Sequence, residues 1–139
     1  YWGYFDSSKA HQLWEKMHEL EPRGNFIKQF YAWTMNNNDE SIATINKFID
    51  EAKSNNEPYE NLLNLLGYKL MAKGDMDGAE KVFLEYIKAY PKGYNAYDSM
   101  GEYYLKNEMI EPAKDMYMKA IEKYRFANNA RNVIDKMNK

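Results

Sequence analysis

The residues of this 139-residue chain best placed to do chemistry together are His11, Glu15 and His18. Spacings of four and three residues put them on one side of a helix, because positions three and four apart are neighbours on a helical surface. Two neutral imidazoles and a carboxylate could bind Zn²⁺. The sequence has no further histidine, and Trp14 and Met17 occupy the inward stripe of the same helix. We therefore predict a solvated helix face here and no metal site.

The sequence gives no sign of a nucleophile or a cofactor site. It contains no G-x-S-x-G motif and no glycine-rich phosphate loop. It contains no cysteine, which excludes disulfides and thiolate metal ligands but leaves the compartment open, whether cytoplasmic, periplasmic or bacterial secreted. Carboxylates such as Glu111 and Asp115 are better explained as charges that a helix N-terminus favours. We predict no catalytic residue, no cofactor and no enzymatic activity.

The composition narrows the classes of partner. The formal net charge is −2 without a run of one sign, which argues against nucleic acid and against a polybasic membrane patch. No apolar run approaches the roughly 20 residues of a membrane span. Apolar residues make up 45% of the chain and 13 residues are tyrosine. Tyrosine suits half-buried seams and binding surfaces, because its large apolar ring carries a polar tip.

Helical periodicity dominates the sequence, and we predict seven helices and the start of an eighth near Ala127. Asp39 and Asp75 are predicted to cap the helices that follow them. Short connections predict that successive helices pack as antiparallel neighbours. The predicted helices cover residues 7–21, 25–37, 40–54, 59–72, 77–89, 94–106 and 110–124.

The helices repeat with a period of about 34 residues. A shift of 34 carries one set of residues onto another of similar character: Leu66, Gly67, Leu70, Ala79 and Phe83 fall on Met100, Gly101, Tyr104, Ala113 and Tyr117. Shifts of 35 and then 34 in the other direction reach Ala32, Thr44 and Phe48, and then Ala10 and Trp14. Glycine in mid-helix costs about 1 kcal/mol relative to alanine. The small residues therefore predict a close approach by a neighbouring helix, and the aromatic residues predict the filling between hairpins.

This order of Leu-Gly, an aromatic residue, Ala-x3-Phe and a proline resembles the tetratricopeptide repeat. The resemblance implies an all-α fold in which antiparallel helix hairpins form a right-handed superhelical array. We interpret residues 1–139 as one domain. Residues 7–22 are the second helix of a truncated repeat, 25–56 a degenerate repeat, 59–91 and 94–125 repeats, and 127–139 a capping helix. Because residues 1–4 fall where a first helix should end, we expect the native protein to continue upstream.

Stacked hairpins of this type curve, and their first helices line the concave side. Residues at the same position in successive first helices form the rungs of this groove. The predicted groove residues are Phe26, Gln29, Trp33, Asn61, Asn64, Tyr68, Asn95, Asp98 and Glu102, with a flanking rung of Asn36, Met71 and Leu105.

These groove residues predict a protein or peptide partner. Asparagine and glutamine can both donate to and accept from a peptide backbone, and exposed tryptophan and tyrosine are efficient anchors. We expect an extended or helical segment with an apolar anchor near Trp33 and Tyr68 and a basic group near Asp98 and Glu102. Tetratricopeptide modules that grip a C-terminal carboxylate use lysine and asparagine on these rungs, and that pattern is missing.

Two other interpretations stay open from the sequence. The stretches 66–68 and 96–102 resemble repeats appended to some bacterial secreted hydrolases and esterases, which would make this chain the C-terminal region of a larger enzyme. Alternatively, Trp2, Tyr4 and Phe5 would form an apolar patch through which the chain associates with itself.

Overall fold

In the computed structural model, residues 7–21 and 24–139 are described, and within these ranges the chain forms eight α-helices and no β-strand. The predicted all-α fold is confirmed. The self-association patch predicted at Trp2, Tyr4 and Phe5 lies outside the described residues. The helices are α1 (Ser7–Leu20), α2 (Asn25–Thr34), α3 (Asp39–Ser54), α4 (Glu60–Lys73), α5 (Met76–Ala89), α6 (Tyr94–Lys106), α7 (Ile110–Lys123) and α8 (Asn128–Met137).

The helices pack as stacked antiparallel hairpins. The most extensive contacts join α4 to α5 and α6 to α7, and contacts between α3 and α4, α5 and α6, and α7 and α8 connect successive pairs. One buried cluster runs from α2 to α6 and a second from α6 to α8. The side chains of Phe83 and Tyr86 are fully buried between hairpins, and Tyr117 is 1% exposed. Each hairpin therefore hides its apolar face against its neighbours.

The predicted close approach at the small residues is found at Gly67 and Gly101, where aromatic rings of the following helix pack against the backbone. Ala79 and Ala113 are fully buried. In α3 the prediction for Thr44 was wrong, because its side chain is only half-buried and its hydroxyl donates to the carbonyl of Glu40. The fully buried small side chain of α3 is Ser41 instead.

The connection between α2 and α3 differs from its prediction. Helix α2 ends at Thr34, three residues early, because Met35 has an extended backbone (φ −69°, ψ 154°). The N-cap of α3 is Asn38, whose side chain accepts from Ser41 N at 3.0 Å while Ser41 Oγ accepts from Asn38 N. Asp39 is the first residue of the helix, and its carboxylate pairs with Lys73. The predicted cap at Asp75 is confirmed by its bond to Gly78 N.

Helix α8 covers the end of the second buried cluster with a narrow apolar face. Ala130 is fully buried and Ile134 is 7% exposed, with Val133 and Met137 half-buried beside them. The apolar face of α8 is thus turned inward, as the capping helix predicted at 127–139 requires.

Candidate functional site

Side chains of α2 and α4 line a groove made of two adjoining pockets. The first, of about 400 Å³, is lined by Gln29, Phe30, Trp33, Asn61, Asn64, Leu65 and Tyr68. The second, of about 460 Å³, leads towards the α2–α3 connection and is lined by Trp33, Thr34, Met35, Asn36, Asn37, Leu65, Tyr68, Lys69 and Ala72. The two pockets share Trp33, Leu65 and Tyr68, so these three side chains form the centre of the groove.

The first pocket has an apolar centre. Trp33, which both pockets share, is 53% exposed, and its ring packs edge-on against Phe30 with 6.1 Å between centroids. Leu65, on the facing helix, is half-buried and contacts the core. A large exposed indole beside a cavity is suited to anchor a partner, because it offers wide apolar contact at low entropic cost.

Amide side chains form the polar wall of this pocket. Asn61 Nδ2 donates to Gln29 Oε1 across the two helices at 3.2 Å, and Ser99 Oγ of α6 donates to Asn64 Oδ1 at 2.6 Å. These bonds leave the Gln29 amide nitrogen, the Asn61 carbonyl oxygen and the Asn64 amide nitrogen without a partner among the described residues. Donors and acceptors of this kind can pair with an extended peptide backbone.

Tyr68 connects the groove to α6. Its hydroxyl donates to Glu102 Oε2 at 2.6 Å and lies 3.4 Å from Ser99 Oγ. Burial raises the pKa of the Tyr68 phenol, and the hydrogen bond to the Glu102 carboxylate raises it further. Tyr68 therefore stays neutral at ordinary pH and holds the Glu102 carboxylate at the edge of the groove.

Asp98 lies beyond Glu102 and is held from α8. Asn129 Nδ2 donates to Oδ1 and Oδ2 of Asp98 at 3.0 and 3.2 Å. Burial raises the pKa of Asp98, the Asn129 bond opposes the rise, and the Glu102 carboxylate adds to it. No lysine or arginine in ranges 7–21 and 24–139 pairs with Asp98 or Glu102. The two side chains thus form an acidic end that receives no cation from the described part of the chain.

The predicted groove residues do not all line the groove. Eight of them lie in its two pockets or at its acidic end: Gln29, Trp33, Asn36, Asn61, Asn64, Tyr68, Asp98 and Glu102. Leu105 is half-buried and packs against the second buried cluster. Asn95 is turned towards the hairpin interior, where its amide donates to Tyr86 OH at 3.0 Å. The prediction of Met71 as a flanking groove residue was wrong, because its side chain is only 6% exposed and packs in the core. The side chain of Phe26 lies outside the described residues.

Sequence reasoning missed Phe30, Leu65 and Lys69. Phe30 and Leu65 each follow a predicted groove residue, so a wider helical face at each rung would have included them. No sequence pattern pointed to Lys69, because its contacts depend on the conformation of the α2–α3 connection. Its ammonium donates to Met35 O at 2.7 Å and to Asn37 Oδ1 at 3.2 Å.

The two histidines of α1 pack against α2. His11 Nδ1 bonds Thr34 Oγ1 at 2.8 Å, and the His18 ring stacks on Tyr31 with 5.0 Å between centroids. Both imidazoles are half-buried against α2, so the expected solvated face was wrong on this side. No group of three or more metal-binding side chains forms within the described ranges.

Among the described residues, none of the helices has the length and apolar character needed to cross a membrane. A family model of the tetratricopeptide repeat matches residues 94–122, which span α6 and nearly all of α7. No curated protein matches the chain. The predicted family resemblance is thus confirmed for this hairpin.

Solved structures with a similar fold include two of MamA. A crystal structure of MamA is 18% identical with a TM-score of 0.66, and the match covers 93% of this chain and 75% of that one. A crystal structure of the MamA protein is 20% identical with a TM-score of 0.63, and the match covers 86% of this chain and 64% of that one. At these identities the likeness establishes the helical-repeat fold.

Proposed function

We propose that this tetratricopeptide-repeat chain is a non-catalytic scaffold that binds a segment of another protein in the groove between α2 and α4. The observation that carries the proposal is Trp33, an indole 53% exposed at the centre of two adjoining pockets of about 400 and 460 Å³. Grooves of this size with an aromatic centre and a few polar side chains are the usual form of a recognition site.

The groove supports an extended segment with one apolar side chain. That side chain would enter the first pocket between Trp33 and Leu65, where it buries apolar surface. The unpaired amide groups of Gln29, Asn61 and Asn64 would then pair with the segment's backbone. Because these amides both donate and accept, they hold the backbone without selecting its sequence.

The acidic end adds selectivity for a basic side chain. Glu102 lies 2.6 Å from the hydroxyl of Tyr68, a residue of both pockets, and Asp98 lies beyond it. Since neither carboxylate has a cation within the described chain, charge complementarity favours a lysine or arginine in the partner. The proposed ligand is therefore an extended segment with an apolar residue and a basic residue on the same side.

Selection from a displayed library of random peptides tests this proposal. The enriched peptide is synthesised with a fluorophore and titrated with the unaltered chain, Trp33→Ala and Glu102→Gln. We expect each variant to weaken binding on the order of tenfold or more, as central anchors do. When the peptide's basic residue is replaced by alanine, Glu102→Gln should no longer change the affinity, because the ion pair between the two residues is already absent.

Two exposed residues outside the groove provide matched controls. Leu84→Ala removes an apolar side chain that is 47% exposed on α5, and Asp135→Asn removes one negative charge from α8. Both should leave the affinity unchanged. Enriched peptides that bind Trp33→Ala and Glu102→Gln as tightly as the unaltered chain would show that the groove is not the binding site.

A further inference from the structure

Two lysines are buried in the described part of the chain, and they have different surroundings. Lys28 is 8% exposed, and its ammonium pairs with Glu51 at 2.7 Å. Lys69 is 4% exposed, and no carboxylate of residues 7–21 and 24–139 lies within ion-pair distance of it. Burial lowers the pKa of Lys69, because an ammonium without a counter-charge is poorly solvated in the protein interior. Burying an ammonium in this way costs free energy, so its hydrogen-bond partners indicate its structural role.

The Lys69 ammonium holds the end of α2. It donates to the carbonyl of Met35, the C-cap residue, at 2.7 Å and to Asn37 Oδ1 at 3.2 Å. The last carbonyls of a helix lack intrahelical partners and carry partial negative charge, so a cation there is favoured. Other bonds at this end are those of Met35 N to Ala32 O at 3.3 Å, Asn38 N to Asn36 O at 3.0 Å and Thr34 Oγ1 to Tyr31 O at 2.9 Å. His11 of α1 also bonds Thr34 Oγ1 at 2.8 Å, whereas Lys69 is the contact from α4 to the Met35 carbonyl.

This end of α2 also carries the centre of the groove. Trp33 lies two residues before Met35, and Trp33, Met35, Asn37 and Lys69 all line the second pocket. A shift of the α2 end would therefore move the indole and change the width of both pockets.

We infer that Lys69 is a positioning residue, which fixes the end of α2 from α4 and thereby sets the orientation of Trp33 in the groove. The expected effect on peptide affinity rests on the proposed function. The fixed position of the α2 end rests on the hydrogen bonds of Lys69 alone.

Lys69→Met tests the inference, because methionine keeps an unbranched apolar stem and lacks the ammonium. Trp2→Phe and Trp14→Phe are introduced in both proteins so that Trp33 is the sole tryptophan. We expect faster amide exchange at Met35 and Asn38, on the order of tenfold, and lower fluorescence anisotropy of Trp33.

The urea midpoint of Lys69→Met should stay unchanged or rise, because the cost of burying a charge is removed. Affinity for the enriched peptide should fall on the order of tenfold, since the anchor is no longer held in place.

Asn37→Asp is the second variant, since it places a carboxylate beside the ammonium. With Lys69 present it should slow exchange at Met35 and Asn38, and in the Lys69→Met protein this slowing should be absent. A residue that serves only global stability would instead lower the urea midpoint and change exchange throughout the chain.

The outcomes separate this inference from the proposed function. Unchanged exchange and anisotropy in Lys69→Met, or a change that only follows a lower urea midpoint, overturn the positioning role. Unchanged peptide affinity in Trp33→Ala overturns the binding proposal, while the exchange data still decide what Lys69 does.

Discussion

A methyl group on Gly67 would lie 2.3 Å from Cε1 of Phe83, because the phenylalanine ring packs directly on the backbone of α4. Phe83 is fully buried and cannot move aside into solvent. Gly101 repeats the relationship with Tyr117 less tightly, with the nearest ring atom at 2.9 Å. Glycine at positions 67 and 101 is thus required by the packing of the following helix on the backbone.

Gly67→Ala is therefore expected to destabilise the protein although alanine favours helix. The overpacking cost exceeds the gain in helix propensity, and we expect a net loss of about 2 kcal/mol in the free energy of unfolding. Urea titration followed by circular dichroism measures it. Gly101→Ala should cost less, and Phe83→Leu should recover part of the loss in Gly67→Ala. A rise in stability for Gly67→Ala would contradict the close contact.

Glu108 occupies a left-handed backbone conformation (φ 59°) at the end of α6, where Gly74 has φ 95° at the end of α4. In both turns the next amide reaches back to the helix: Met109 N to Tyr104 O and Asp75 N to Leu70 O, each at 2.9 Å. Glu108→Gly removes the steric strain of a side chain in this conformation but adds freedom to the unfolded chain. We expect a net gain of about 0.5 kcal/mol, and a loss of about 1 kcal/mol for Gly74→Ala. Thermal unfolding checks both, and equal effects of the same sign would contradict the argument.

The sequence predicted the helices and the small residues well because both follow from local and periodic rules. Leucine, glycine and alanine at a fixed period specify which faces meet, and the packing at Gly67 and Ala79 follows from it. Groove residues followed from the same period, since positions 34 apart in first helices share one side of the array. That is why Asn64 and Tyr68 both line the first pocket.

The failures lie where local signals compete. Residues 36–39 read Asn-Asn-Asn-Asp, and each of these side chains can cap a helix. The bond from Lys69 to the Met35 carbonyl joins residues 34 positions apart at the end of α2, and single-sequence reasoning cannot see such a contact. The cap at Asn38 rests on its reciprocal bonds with Ser41, and the residue types alone do not rank Asn38 above its neighbours.

Several buried tyrosines predict a loss of stability at alkaline pH. Burial raises the pKa of Tyr103 to about 12, and burial also raises the pKa values of Tyr86 and Tyr117. Because the folded pKa lies above the unfolded value of about 10, these groups stabilise the fold fully below pH 10. That stability is lost as the pH rises through the folded pKa, since the unfolded chain releases the protons first. Lys69, whose pKa is lowered, opposes this trend as a single group.

We therefore expect the urea midpoint to fall between about pH 10 and pH 12. Tyrosinate absorbance should rise together with unfolding. Tyr103→Phe should flatten the dependence, because it removes one of the linked protons. A midpoint that is constant across this range would contradict the raised pKa values.

The negative charge of Asp98 is expected to lower the stability of the fold and to strengthen peptide binding. Its folded pKa is raised, chiefly by burial, so the carboxyl stabilises the fold fully below its unfolded pKa and this stability is lost as the pH rises through the folded value. At pH 7 the ionised side chain is therefore destabilising. Asp98→Asn keeps an oxygen that can accept from Asn129 and removes the charge. After allowance for solvent screening we expect a gain of about 0.5 kcal/mol at pH 7 that disappears towards pH 4.

The same substitution should weaken the enriched peptide, because it removes one carboxylate from the acidic end of the groove. Urea titrations at pH 7 and pH 4 and peptide titrations at pH 7 measure the two effects, with Asp135→Asn as the charge-matched control. If Asp98→Asn lowered stability at pH 7, the ionised carboxylate would be a stabilising group, and the raised pKa would be wrong. If it gained stability and bound the peptide equally well, the basic residue of the partner would have to contact Glu102 alone. A trade of stability for affinity at one residue is expected where a site keeps a charge without its partner.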